Sequence, residues 1–353
     1  MIPGTSIEVD GRTVPVSNLD KPLFPDGFTK GRMLDYYLEV AAAMVPHLAG
    51  RPVTLRRFPD GMLGPTWFQT RCRGRPPWMR TAPVLIRRGE IHEYCLIEEA
   101  ASLAWAANQA AVELHPFLAD HRDPERPLVM VFDLDPGPPA GLAVACRVAL
   151  RLRSLLEENG LRAFPKTSGS RGLHVIVPLN KPSTFERTKA FARTVAARMS
   201  REAPDTVVDR QERRAREGRV LIDWAQNDPM RSTAAPYSLR ARRRPVVSAP
   251  VTWEEAAATA EGRLDLELTP DDILRRVNRL GDLFAPVLAV AQDLGVSRSR
   301  TAGKPEPMDE REQPGEDPTI EADRATPTEP GPGDSEGAKP ESPPEEDGER
   351  KDE

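Results

Sequence analysis

The sequence predicts an α+β fold: a βαββαβ module of the RRM or ferredoxin-like type, packed with an N-terminal α/β part. Three observations predict it. Two short apolar runs, Val129-Met130-Val131-Phe132-Asp133-Leu134-Asp135 and Arg219-Val220-Leu221-Ile222-Asp223, each end in carboxylate. Between them, strand-like and helix-like segments follow the order strand, helix, strand, strand, helix, strand, and in that unit the first strand lies between the third and the fourth. A hydrophobic content of 39% over 353 residues supplies a core of the size such a domain needs.

From the N-terminus, Ser6-Ile7-Glu8-Val9 and Thr13-Val14-Pro15-Val16 form a hairpin that turns at Asp10-Gly11. Thr29 is an N-cap, and Met33, Leu34, Tyr37, Val40, Ala41, Met44 and Val45 recur at helical spacing up to Pro46. Lys21 and Lys30 flank that helix start, where backbone N–H groups favour an anion. By residue type alone they read as solvated surface lysines. Pro52–Phe58 forms a strand, and Trp67-Phe68 follows a Gly-rich turn, one ring expected in the core and one at its edge. The basic stretch Arg71-Cys72-Arg73-Gly74-Arg75-Pro76-Pro77-Trp78 is a loop. A helix is expected from Ser102 to Leu114, ending near His115-Pro116; His115 reads as a catalytic or phosphate-side group or, more strongly by residue type alone, as a capping or packed histidine.

The module follows. A strand over 128–135 leads to a helix from Gly141 to Asn159, with Val144, Val148, Leu152, Leu155 and Leu156 on one side and Gly160 closing it. A short strand near 161–166, the loop Thr167-Ser168-Gly169-Ser170-Arg171-Gly172 and a strand from Leu173 to Leu179 come next. A helix over 183–200, a basic stretch from Arg210 to Arg216 and the strand ending at Asp223 complete it. Alternation puts Asp133 and Asp135 on one face, about 7 Å apart at Cα. Topology brings His174 and Asp223 to the same patch.

Carboxylates that follow a buried strand are costly unless a cation meets them. Three of them can hold two hard cations about 3.5–4 Å apart, the arrangement that performs phosphoryl transfer. The loop supplies what a triphosphate needs: N–H groups freed by Gly169 and Gly172, the hydroxyls of Ser168 and Ser170, the Arg171 guanidinium and the His174 imidazole. It lacks the Walker A pattern. Gln226 and Arg240 add an amide and a cation near the same strand end. Two rival readings stand beside this one: a metal-dependent phosphatase with an aspartyl nucleophile, and a DNA-end-binding scaffold with weak or lost catalysis.

The net charge of −5 conceals a division, because residues 301–353 carry 18 Asp and Glu against 6 Lys and Arg. The tail from 297 is therefore expected to be acidic and disordered, and residues 1–296 to form the folded domain. The remaining body is mildly basic, which suits a polyanionic partner. Cys72, Cys95 and Cys146 are odd in number and lack zinc-ligand spacing, so reduced thiols in a cytoplasmic, nucleoid-associated protein are expected. No secretory signal or membrane-spanning stretch is read.

Asp133-Leu134-Asp135-Pro136-Gly137, Lys166-Thr167-Ser168-Gly169-Ser170-Arg171-Gly172-Leu173-His174 and Ile222-Asp223-Trp224-Ala225-Gln226-Asn227 resemble the three motifs of the archaeo-eukaryotic primase superfamily. More narrowly, they resemble the polymerase domain of bacterial ligase D, a non-homologous end-joining protein. The similarity runs from about Ser17 to Leu294 and includes Gly50-Arg51-Pro52-Val53-Thr54 and Ala235-Pro236-Tyr237-Ser238-Leu239-Arg240. The resemblance implies a primase-type fold and a nucleotidyltransferase that fills short gaps, favouring ribonucleotides over deoxyribonucleotides. It implies Asp133, Asp135 and Asp223 as ligands of two Mn²⁺ or Mg²⁺ ions. It implies Ser168, Ser170, Arg171, Gly172, His174, His115, Gln226 and Arg240 around the incoming NTP or dNTP. It further implies Lys21 and Lys30 on a DNA 5′-phosphate, and Trp67, Phe68 and Arg216 on the template. A Ku-type end-binding protein and a DNA ligase acting in trans are the implied partners. The chain departs from the family pattern at Gln69-Thr70-Arg71-Cys72, after the aromatic pair, and at Arg171, where lysine is common.

Overall fold

The structure, a computed structural model, describes residues 5–86, 89–169 and 171–294. Ser170 and the acidic tail from 297 lie outside the described residues. The hairpin forms as expected, Thr5–Val9 (β1) pairing antiparallel with Arg12–Val16 (β2). Asp10 and Gly11 take φ of 50° and 73°, the double positive φ that matches the twist of paired strands. Lys30–Met44 (α1) begins where the Thr29 hydroxyl accepts the Arg32 N–H, and it buries Met33, Leu34, Tyr37, Val40 and Met44.

That apolar face covers a sheet of Pro52–Arg57 (β3), Trp67–Gln69 (β4), Thr81–Leu85 (β5) and Ile91–Leu96 (β6), in the order β4-β3-β6-β5. The helix expected from Ser102 to Leu114 is shorter: it is Ala100–Asn108 (α2), and Ala110 at φ 55° reverses the chain. Ala111–Pro116 (β7) then returns as a strand paired with β3, so His115 sits on a sheet rather than at a helix end. Residues 111–114 are all buried, which removes the alternation by which a half-buried strand is read from sequence. The cysteine expectation is also corrected. Cys72 and Cys95 form a disulfide and Cys146 is free and buried. Backbone pairing creates that contact, since the Cys72 N–H donates to the Glu93 carbonyl (2.6 Å) and lays the loop after β4 along β6.

The module is built from Val129–Pro136 (β8), Leu142–Glu158 (α3), Phe164–Thr167 (β9), Leu173–Pro178 (β10), Phe185–Glu202 (α4), Val207–Val208 (β11) and Val220–Asp223 (β12). Its sheet order, β11-β12-β8-β10-β9, contains the expected arrangement with β8 central, and β11 adds a short parallel edge. Met130, Phe132 and Leu134 on one face of β8 share a core with Val148, Leu152 and Leu156 of α3. Burying each such side chain stabilises the fold by about 1.5–3 kcal/mol. On the other face Val129 and Val131 join Ile176, Phe185 and Phe284, and that face continues into Asp133 and Asp135.

Leu239–Arg240 (β13) and Val246–Val247 (β14) form a small ladder between the two parts. Trp253–Ala260 (α5) and Pro270–Leu280 (α6) each open with a Thr capping box, at Thr252 and Thr269. Ala285–Ala289 (α7) ends the described chain's regular structure. Among the described residues, no helix is long and apolar enough to cross a membrane.

Candidate active site

Because β8 is antiparallel to both neighbours, Asp133 stands opposite His174 on β10 and opposite Asp223 on β12. Directly opposed residues lie about 4.5–5.5 Å apart at Cα. Leu221 opposes Asp135, which makes Asp223 and Asp135 diagonal neighbours. The three carboxylates have separate partners: Asp133 Oδ1 lies 3.4 Å from His174 Nε2, Asp135 Oδ2 accepts from Arg216 Nη1 at 3.2 Å, and Asp223 Oδ1 accepts the Ala225 N–H at 3.0 Å. Among the described residues no three His, Cys, Asp or Glu side chains are drawn together as the ligands of one ion. The electrostatics nonetheless suit a cation. Burial, then the charges of Asp223 and Asp135, push the Asp133 carboxyl up to about 7, and burial also raises Asp223. An all-oxygen donor set that resists ionisation without a counter-charge fits Mn²⁺ or Mg²⁺.

Beside the acids, burial and the charges of Lys166 and Arg240 hold His174 well below the usual histidine range, so its ring is neutral. Its Nδ1 meets the Thr233 hydroxyl at 3.2 Å. The turn between β9 and β10 is closed by Ser168, whose N–H donates to the Gly172 carbonyl (3.1 Å) and whose Oγ accepts the Gly172 N–H (3.3 Å). Two glycines are dictated by space. A Cβ at Gly172 would meet the Leu134 carbonyl oxygen at 2.3 Å, and one at Gly169, where φ is 69°, would meet Arg240 Cγ at 2.2 Å. Arg171 on the same turn is exposed. The turn is thus wedged between the aspartate strand and Arg240. Gln226, in the single turn after Asp223, has a buried Oε1 with no hydrogen-bond partner among the described residues.

The expected DNA-side residues form two further groups. The Lys30 N–H donates to the Lys21 carbonyl (2.9 Å), and Lys30 Nζ, on a side chain buried to 6% exposure, donates to the Ser17 carbonyl (2.7 Å). Burial, then Lys21, then Arg57, lower its pKa to about 8. Lys21 pairs with Asp60 at 2.9 Å. Trp67 and Phe68 are both half-buried, which corrects the expectation of one core ring and one edge ring. In the β3–β4 register they stand opposite Arg57 and Arg56, whose guanidiniums lie over their rings at 5.4 and 5.2 Å. Phe68 also meets the His115 ring edge-on at 5.9 Å. Arg216 lies at Asp135 itself.

Sequence reading missed the residue that joins these groups. Glu113, opposite Arg56 in the β3–β7 register and 1% exposed, accepts from Arg56 Nη1 (3.3 Å), His115 Nε2 (2.8 Å), Arg240 Nη1 (3.0 Å) and the Ala241 N–H (2.8 Å). Arg240, His115 and Arg56 outweigh its burial and hold its carboxyl well below the usual range. The available signal was the Glu113-Leu114-His115 spacing, which puts both polar side chains on one face once the segment is a strand. Lys166 is a second such residue: wholly buried, it donates to Ser248 Oγ at 2.5 Å.

The model of the LigD primase-polymerase domain matches residues 29–284. The chain is 38% identical over 304 residues to the multifunctional non-homologous end joining protein LigD of Mycolicibacterium smegmatis, a match covering 84% of the chain and 39% of that protein. It is 40% identical over 310 residues to the LigD DNA repair protein of Mycobacterium tuberculosis, covering 84% and 40%. The chain thus spans about two fifths of the length of these relatives. The solved polymerase domain of M. tuberculosis ligase D in complex with DNA superposes with a TM-score of 0.73 at 39% identity, over 79% of this chain and 99% of that one.

Proposed function

Because the chain belongs to the family of LigD primase-polymerase domains, we propose that it is a template-dependent nucleotidyltransferase that fills short gaps at broken DNA ends, with a preference for ribonucleotides. The observation that carries this is the pairing of Asp223 with Asp133 across β12 and β8, with Asp135 two residues further along, beside the wedged Ser168–Gly172 turn. Asp133, Asp135 and Asp223 would hold two Mn²⁺ or Mg²⁺ ions. The chemistry such ions would supply there is acidification of a primer 3′-hydroxyl and charge neutralisation of the leaving pyrophosphate.

The protein's own groups do the positioning. Ser168, Ser170, Arg171 and Gly172 surround the triphosphate, and Arg240 reaches it from the other side of the turn. His174, neutral and held by Thr233, keeps one ring nitrogen as donor and one as acceptor beside Asp133. His115 and Gln226 complete the nucleotide side. Lys21 and Lys30 take the 5′-phosphate at the far edge of a gap, and Trp67 and Phe68 stack against the template, each base stack contributing about 1–3 kcal/mol. Arg216 exchanges Asp135 for a template phosphate when DNA binds. A Ku-type end-binding protein and a ligase act with it, and residues 1–296 form the working domain.

The test is primer extension on a gapped duplex bearing a 5′-phosphate, with Mn²⁺ and labelled ribonucleotides. Incorporation that disappears in Asp133→Ala and Asp223→Ala supports polymerisation. Tight DNA binding by the wild type without incorporation replaces this reading with an end-binding scaffold. Phosphate release without extension replaces it with a phosphatase.

A further inference from the structure

We propose that Glu113 is the positioning residue of the nucleotide pocket, one carboxylate that aims Arg240, fixes the tautomer of His115 and ties both to Arg56 on the templating side. The inference rests on the polymerase reading for its kinetic meaning, but its geometry stands without it. Four donors from three strands and the residue after β13 converge on two oxygens: Arg56 from β3, His115 from β7, Arg240 from β13 and the Ala241 N–H. Each oxygen accepts two of them, so the carboxylate is saturated and has no capacity left for substrate. It therefore acts through the groups it holds.

Each of those groups keeps something to offer. The bond from Nε2–H to Glu113 leaves Nδ1 as the acceptor of a neutral His115, a ring whose pKa burial lowers. That nitrogen suits a hydroxyl rather than a phosphate oxygen. The Nε atoms of Arg56 and Arg240 are buried and have no hydrogen-bond partner among the described residues. Enclosed as they are, these atoms do not themselves meet a phosphate; the partly exposed remainder of the two side chains, 29% and 20%, is what an anion reaches. Through Arg56, which lies over Phe68, and through His115, whose ring meets the same Phe68, the carboxylate also fixes the aromatic strand relative to Arg240. Nucleotide and template sides are held by one anion.

The test compares the full chain with Glu113→Gln and Glu113→Asp. The first keeps shape and loses charge, whereas the second keeps charge but is one methylene too short to reach all four donors. Gap filling gives KM for the nucleotide and kcat. Binding of a labelled gapped duplex gives DNA affinity, ring ¹⁵N shifts report the His115 tautomer, and thermal unfolding runs alongside. The expected result is a nucleotide KM raised at least tenfold in both variants, a smaller change in kcat, a loss of DNA affinity smaller than the loss for nucleotide and a changed His115 ring pattern in Glu113→Gln. Glu113→Asp should unfold closer to wild type than Glu113→Gln and still show the raised KM. An unchanged KM with kcat falling in step with stability overturns the proposal, since a merely structural carboxylate gives that pattern. If the wild type incorporates nothing, the polymerase reading fails. Binding of a fluorescent nucleotide and the His115 shifts then decide the role of Glu113 separately, and an unaltered tautomer with unaltered nucleotide affinity sinks it.

Discussion

Asp133 on β8 and Glu113 on β7 are both carboxylates built into strands, and each is crowded by charged neighbours of which one sign prevails. Around Asp133 the prevailing neighbours, after burial itself, are Asp223 and Asp135; they outweigh Lys166 and Arg240, and its carboxyl is pushed up to about 7. Around Glu113 they are Arg240, His115 and Arg56, and its carboxyl stays ionised far into acid. Equal chemistry thus ends in opposite states because strand register chose the companions. The lesson is that burial alone does not say whether an acid is structural or reserved for a cation. The sign of the residual charge does, and at Asp133 the protein leaves a deficit of positive charge.

The sharpest way to break the comparison is by activity. Asp133→Ala or Asp223→Ala is expected to lower gap filling by at least about a thousandfold, equivalent to about 4 kcal/mol, as measured by single-turnover incorporation. Glu113→Ala should act first on stability. Leaving Arg56, His115 and Arg240 around an absent anion is expected to cost about 3–5 kcal/mol in denaturant unfolding.

Asp133→Asn should have the opposite sign in metal-free buffer, stabilising the fold at pH 8 by about 1–3 kcal/mol through relief of repulsion. The wild type also carries a pH signature there. Its folded state keeps the Asp133 proton that the unfolded chain releases near about 3.9, so this contribution is complete in acid and fades as pH climbs through about 7. Metal-free melts from pH 5 to 8 should slope downward in wild type and less so in Asp133→Asn. Added Mn²⁺ should raise the wild-type melting temperature most at pH 8. Equal slopes in the two proteins would contradict the charge-deficit account.

The smallest effect concerns the positive counterpart, Lys30. Its folded-state pKa of about 8 lies below the unfolded value near about 10.4, so folding gains stability as pH rises between them while the ammonium is lost. The preference for 5′-phosphorylated over 5′-hydroxyl gapped DNA is expected to decline a few-fold from pH 7.5 to 9 in binding titrations. Lys30→Arg should hold the preference across that range. Reversing both Lys21 and Lys30 to Glu should erase it at every pH, and a preference indifferent to these changes removes the lysines from the phosphate site.

How much of this was legible depended on range. The hairpin at Asp10-Gly11, the four module strands and the convergence of Asp133, Asp223 and His174 follow from local pattern plus one topological rule, and the strand order agrees with them. The β7 strand was read as helix because its buried run has no period and because Ala110, not glycine, takes the positive φ that ends α2. The Cys72–Cys95 bond was missed because only the pairing of the loop with β6 brings the two together. The Glu113 hub joins well-separated parts of the chain, and neither Arg56 nor Arg240 lies near it in sequence. Ser170 and the tail from 297 lie outside the described residues.

The wedged turn also sets where the chain is open to redesign. At 169 any side chain collides with the aliphatic stem of an arginine, and at 172 with a strand carbonyl. Arg171 between them faces solvent and meets no such wall. A library intended to shift the proposed choice of nucleotide should therefore leave both glycines untouched and spend its diversity on position 171, where new side chains extend into solvent without moving the turn.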